Sequence, residues 1–167
     1  PLCQTKIMKK KLVLSLGSNL GNRYAYIYQA IQAINEAFDT ISAVSQYYET
    51  PPWGDLNQSR FINIALVLET DMPVLQCFTK LQAIEAEIGR TKTRKWGPRC
   101  IDIDILFYDL EIITTPELTI PHPHIHERAF VLAPLCDLMP RFLHPTHDHT
   151  VAQLLHNITN DTQHFTP

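Results

Sequence analysis

Glycine is scarce: five in 167 residues, against twelve prolines. Loops are therefore shaped more by stiff residues than by permissive ones, and Gly17, Gly21, Gly54, Gly89 and Gly97 are all expected in turns or loops. Cysteine is sparse as well. Cys3, Cys77, Cys100 and Cys136 stand apart with no C-x-x-C pair, which argues against a disulfide framework and suits reduced thiols in the cytoplasm. No apolar run reaches the roughly 18 residues that a membrane span needs. No charge of one sign dominates: 14 Lys and Arg against 17 Asp and Glu give a net charge of −3, which argues against coating nucleic acid or membrane through bulk charge. No G-x-x-x-x-G-K-[ST] phosphate loop occurs.

What remains is enough apolar chain for a core, 45% of residues, in a length that suits one domain. Residues 1–7 read as a leader or expression remnant, with Met8 a native start and 8–167 the single domain. The apolar stretch after the basic residues Lys9–Lys11 is too short for a secretory signal. The sequons at Asn57, Asn157 and Asn160 are then chance matches.

Leu12, Leu14 and Leu16 alternate with Val13 and Ser15, which predicts a strand; Ile27, Ile31, Ile34 and Phe38 recur at helical spacing. Ile41 to Tyr48 reads as a second strand, and Phe61 to Leu68 as one buried on both faces. Pro73 opens a helix striped by Val74, Phe78, Leu81, Ile84 and Ile88 and closed at Gly89. Ile101, Ile103, Ile105 and Phe107 mark a fourth strand. The order β-α-β-β-α-β predicts an α+β, ferredoxin-like plait: an antiparallel sheet with two helices on one face. A C-terminal extension follows, with a hairpin near Ile112–Ile120, a Pro/His loop, a helix near Arg128–Leu135 and a last helix capped near Thr150.

Chemistry concentrates in Arg99-Cys-Ile-Asp-Ile-Asp104. Residues two apart on a strand share a face, so Asp102 and Asp104 aim two carboxylates at one place. Like charges so close call for a cation, and hard oxygen donors suit Mg²⁺. Alone, the pair fits a solvated sheet face equally well. Arg90, Lys92, Arg94, Lys95 and Arg99 precede it, with Trp96 among them. A basic loop beside paired carboxylates suits a metal–polyphosphate complex, and it also suits a solvated loop or a nucleic-acid patch with Trp96 stacking. Gly17 to Gly21, lacking a lysine, reads better as a structural turn than as a phosphate cradle.

Thr50-Pro-Pro-Trp-Gly54, with Phe61 and Asn63 on one strand face, suits a flat heterocycle, stacked on the ring and read at its edge by the amide. Read locally, Phe61 as core and Asn63 as a backbone cap fit better. His122, His124 and His126 alternate and make a zinc site only if the segment is extended; otherwise they, His144, His147 and His149 are surface loop residues.

Together these pieces resemble the 6-hydroxymethyl-7,8-dihydropterin pyrophosphokinase family: LGSNLG (16–21), ETPPWG (49–54), FINIAL (61–66), the helix end Gln82…Glu85…Gly89-Arg90, KWGPRCIDIDILFYD (95–109) and LTIPHPHIHERAFVLAPL (118–135). The resemblance implies transfer of a pyrophosphoryl group from ATP to the pterin hydroxymethyl oxygen, with release of AMP and use of two Mg²⁺ at Asp102 and Asp104. It implies catalytic roles for these two and for Arg90 and Arg99. It places the pterin among Thr50, Pro51, Trp53, Phe61, Asn63, Trp96 and Phe130. For ATP it implies contacts at Gln82, Glu85, Arg90, Lys92, Arg94, Trp96, Arg99, Ile105, Thr119, His122 and Arg128. Glu117 and Pro123 depart from a basic and an aromatic residue found in some members. The expectation is a cytoplasmic monomer with small-molecule substrates and no nucleic acid or membrane partner, whose Arg90–Trp96 loop closes over bound ATP. The competing expectation is a ferredoxin-like RNA-binding module using Trp96, Phe61 and the basic loop.

Overall fold

The alternation at Leu12–Leu16 belongs to a longer strand, β1 (Lys10–Ser18), followed by α1 (Arg23–Ala37), β2 (Ile41–Val44), β3 (Tyr48–Thr50), β4 (Phe61–Thr70), α2 (Val74–Ile88) and β5 (Asp102–Tyr108). The computed structural model describes residues 8–38, 40–91 and 97–159. The sheet runs β2-β4-β1-β5, every pair antiparallel, with β3 also on β4. That is the expected plait. The extension supplies the hairpin β6 (Ile113–Thr114) and β7 (Thr119–Ile120), a 3₁₀ turn (Ile125–Glu127), α3 (Ala129–Leu138) and α4 (Val151–Thr159).

The termini follow local chemistry. Asn22 caps α1 through Oδ1, which accepts the Ala25 N–H at 3.1 Å. Gly89 ends α2 at φ 108°, a conformation that favours glycine. Thr150 and Gln153 make a reciprocal capping box at α4: the Gln153 N–H donates to Thr150 Oγ1 (3.2 Å) and the Thr150 N–H to Gln153 Oε1 (2.8 Å).

Each sheet face carries its own core. Leu12, Leu14, Leu16, Ile62, Ile64, Leu66, Ile103 and Ile105 meet Ile27, Ile34, Leu81 and Ile84 of α1 and α2. On the other face Val13, Ala65, Val67, Leu106 and Phe107 meet Val131, Leu132, Leu135, Val151 and Leu154 of α3 and α4. Burial on both sides explains why Phe61–Leu68 reads as a continuous apolar run. A bulge between Val13 and Leu14 inserts one extra residue into β5, so Leu106 and Phe107 both reach the second core.

Three expectations need correction. The single strand Ile41–Tyr48 is two, β2 and β3. At the break the Ser45 hydroxyl, not a carbonyl, accepts the Ala65 N–H (2.9 Å), and Asp137 at the end of α3 takes the Gln46 N–H (3.0 Å) and the Tyr48 hydroxyl (2.9 Å). Gly17 lies inside β1 rather than in a turn. His144 is no surface residue: it is 3% exposed, its ring edge-on to Phe107 at 5.4 Å. The His122–His126 segment is not extended throughout, since Ile125–Glu127 is a 3₁₀ turn, and no metal-competent group of three side chains occurs among the described residues.

Candidate active site

The sheet's second face is left open at one end, beyond the cover of α3 and α4, and polar side chains collect there. Register sets the first row. Gly17 of β1 lies opposite Asn63 of β4 on one side and Asp102 of β5 on the other. Ser15 lies opposite Asp104, one step along the same face. Gly17 is required by space: a Cβ there would stand 2.8 Å from Asn63 Oδ1 and 3.5 Å from a Phe61 ring carbon. The amide cannot simply retreat, because Asn63 is 3% exposed and its Nδ2 donates to Thr50 Oγ1 at 2.7 Å.

Thr50, Pro51, Trp53, Phe61, Asn63 and Phe130 line one side of a single cleft, and Arg99, Asp102, Asp104 and Arg128 line the other. Arg128 spans the two. It is 8% exposed, with its guanidinium 4.6 Å from the Trp53 ring centre and 5.7 Å from that of Phe130.

Cations and carboxylates interlock on the second side. Both oxygens of Asp102 are taken: Arg90 donates to Oδ1 and Arg99 to Oδ2, each at 2.8 Å. Arg90 also pairs with Glu85, which accepts the Ile103 backbone N–H at 2.6 Å. The Arg99 N–H donates to Asn19 Oδ1 (2.9 Å), while Asn19 Nδ2 donates to Gln58 Oε1 (2.9 Å) and the Ser59 carbonyl (3.1 Å). The turn that begins at Asn19, after β1, thus docks on Arg99. Partial burial on the cleft floor, with 39% of the side chain still exposed, and the neighbouring Asp102 hold the Asp104 carboxyl above the usual carboxylate range, with Arg128 pulling the other way. His122 Nε2 stands 4.0 Å from Asp104 Oδ2. Burial, then the Arg128 charge, push that imidazole down to about 4, so it is neutral at pH 7.

The geometry can be compared with known proteins. The family model for 7,8-dihydro-6-hydroxymethylpterin-pyrophosphokinase (HPPK) matches residues 13–140. The chain belongs to this family. The 2-amino-4-hydroxy-6-hydroxymethyldihydropteridine pyrophosphokinase of Aquifex aeolicus is 42% identical over 132 residues, 79% of this chain and 82% of that protein. The enzyme of the same name from Bacillus subtilis is 42% identical over 126 residues, 75% of each chain. The Pneumocystis carinii folic acid synthesis protein fol1 is 38% identical over 157 residues, 94% of this chain but 21% of that one. Among solved structures, Plasmodium falciparum HPPK-DHPS shares the fold at TM-score 0.75 and 18% identity, with 94% of this chain covering 46% of that one. The chain is accordingly a pyrophosphokinase that acts on the hydroxymethyl dihydropterin in folate synthesis.

Of the residues expected at an HPPK site, those lining the cleft are together, and Glu85, Arg90 and His122 join them through Ile103, Asp102 and Asp104. Three stand apart. Gln82 and Thr119 are exposed outside the cleft lining, and Ile105 is buried against α1 and α2, so only its main chain is available to a ligand. Lys92, Arg94 and Trp96, and with them the loop expected to close, lie outside the described residues. Sequence reasoning missed Ser15 and Gly17 on the cleft floor and Asn19 as the anchor of Arg99. Two small residues continuing the period of β1 were the available signal for the first two. For Asn19 there was none.

Proposed function

We propose that this cleft is the reaction site, with the pterin on the aromatic and amide side and the ATP phosphates on the carboxylate and guanidinium side. Thr50, Pro51, Trp53, Phe61, Asn63 and Phe130 take the pterin, stacked between the two phenylalanines with its edge read by Asn63. Arg90 and Arg99 act as catalytic charges, and His122 and Arg128 face ATP. The carrying observation is that one cleft joins a flat apolar slot bearing a buried amide to a pair of carboxylates flanked by guanidinium groups.

The donor set fits divalent metal. Asp102 and Asp104 are hard oxygen ligands, and lost solvation and the Asp102 charge hold Asp104 high even with Arg128 and Arg90 pulling the other way, so a further cation there would be met by unspent negative charge. Two carboxylates with no third protein ligand among the described residues suit Mg²⁺, which fills its shell with water and phosphate. Bound there, two Mg²⁺ would supply Lewis-acid neutralisation of the phosphate oxygens. The chain's own part is orientation and charge. The hydroxymethyl oxygen attacks the β-phosphorus of ATP, the bond from that phosphorus to the α,β-bridging oxygen breaks, AMP leaves, and the hydroxyl proton is lost to solvent. Negative charge spreads over the phosphoryl oxygens, and Arg90 and Arg99 lie where they can meet it. Fixing the hydroxyl in line supplies a further part of the rate.

The free thiols of Cys77, Cys100 and Cys136 fit a reducing cytoplasm. No described helix is long and apolar enough to cross a membrane. The test is incubation with ATP, Mg²⁺ and 6-hydroxymethyl-7,8-dihydropterin. AMP is expected in step with pterin consumed and absent when Mg²⁺ is chelated. ADP in its place, or turnover indifferent to Mg²⁺, would overturn the reading.

A further inference from the structure

We propose that Glu85 is a positioning residue that fixes the strand carrying the two aspartates, rather than a group that touches the nucleotide. The inference rests on the reading that Asp102 and Asp104 hold the metal. Among the described strands β5 has a neighbour on one side only, β1. A backbone N–H on the open side would ordinarily be left to water. The Ile103 N–H is instead taken by Glu85 Oε1 at 2.6 Å, from the last turn of α2. The side chain is 9% exposed. A buried charge is tolerated only when hydrogen-bonded and paired, and Ile103 and Arg90 provide both. One side chain thus stands in for a missing strand.

The place of that bond matters. Ile103 sits between Asp102 and Asp104, with its own side chain in the aliphatic core. Anchoring its peptide fixes the plane from which both carboxylates project. The same oxygen pairs with Arg90, whose other partner is Asp102 Oδ1. Arg90 therefore keeps a fixed counter-charge when Asp102 exchanges it for another cation. The helix is cut to suit: Leu81 and Ile84 lock α2 to the sheet, and the Arg90 N–H donates to the Glu85 carbonyl at 2.9 Å, turning the chain back beside Asp102. The Glu85 oxygen that holds Ile103 and Arg90 is thus committed to the strand and its arginine.

Glu85→Gln keeps an acceptor for Ile103 and removes the charge; Glu85→Leu removes both. Amide hydrogen exchange in the metal-free protein reads the tie directly. Ile103 should exchange about tenfold faster in Glu85→Leu and near the parent rate in Glu85→Gln, with Ile64 of β4 unchanged in both. The Mg²⁺ concentration that half-saturates nucleotide binding should rise about tenfold in Glu85→Leu and less in Glu85→Gln, with the pterin KM constant. Equal rises in ATP KM in both variants, with Ile103 exchange and Mg²⁺ dependence unmoved, would make Glu85 a nucleotide contact and overturn the proposal. So would faster exchange throughout β4, which marks a merely structural residue. Nucleotide binding indifferent to Mg²⁺ in the parent protein would instead sink the metal reading, and the Ile103 exchange would still judge the tie.

Discussion

The two sides of the cleft are held by different physics. The aromatic and amide side rests on neutral groups, with Arg128 reaching over its rings, and is closed on itself: Asn63 and Thr50 are both buried and bonded to each other, over a glycine that leaves no slack. The other side is ionic and conditional. Each oxygen of Asp102 already faces an arginine, so a cation that binds it shares the carboxylate with that partner or displaces it. A neutral slot selects by shape and by unmet hydrogen bonds, and salt hardly touches it; an ionic cluster can trade partners because each exchange replaces one charge pair by another. Rigid recognition and exchangeable charge thus sit side by side on one sheet face.

The sharpest way to break this contrast is Asp104→Asn. Turnover, read as AMP formed, should fall by at least about a hundredfold, with pterin binding intact. Without metal the same variant should melt at a higher temperature than the parent, because it removes a carboxylate that partial burial and Asp102 hold out of its ordinary range. Asn63→Leu is the opposite cut. It leaves Thr50 and the pterin edge without a partner, and the pterin KM should rise on the order of a hundredfold with nucleotide binding unchanged. Gly17→Ala tests the same side more gently: one methyl pressed on Asn63 and Phe61 should raise the pterin KM about tenfold and leave the Mg²⁺ dependence alone.

Last, and without effect on the chemistry itself, is the response to acid of the layer that frames the cleft. Burial and the neighbouring His147 and His126 push His144 down to about 4. A histidine held below its unfolded value of about 6.5 leaves stability intact above that pH and costs stability progressively as the pH falls toward 4, because the unfolded chain then binds the extra proton. The loss should be about 2 kcal/mol, seen as a falling Tm between pH 6.5 and pH 4.5, and His144→Phe should flatten that slope.

Much of this was legible. Period-two runs and helical stripes are written into neighbouring residues, so β1, β4, β5, α1 and α2 could be read directly, and the order of elements then gave the plait. The paired carboxylates were legible for the same reason: Asp102 and Asp104 share a face through the pleat alone. What escaped depends on partners far along the chain. The split of β2 from β3 rests on a Ser45 hydroxyl meeting Ala65 and on Asp137, 91 residues beyond Gln46. Gly17 looks like turn punctuation until β4 and β5 are set beside it. His144 is polar by type and buried only because Phe107 supplies a wall. Phe130 was set beside Phe61 through the family resemblance alone, since the two stand on separate elements that only the fold brings to one cleft.

The order in which the two cores are completed has a cost during synthesis. Val13 and Val67 are translated well before Val151 and Leu154, which roof them. At about 5–20 residues per second, the ribosome leaves one side of an otherwise assembled sheet bare for several seconds. For that interval the nascent chain presents a greasy stripe bordered by the acidic end of β5, a surface for a holding chaperone and the moment when crowding of nascent chains is most hazardous.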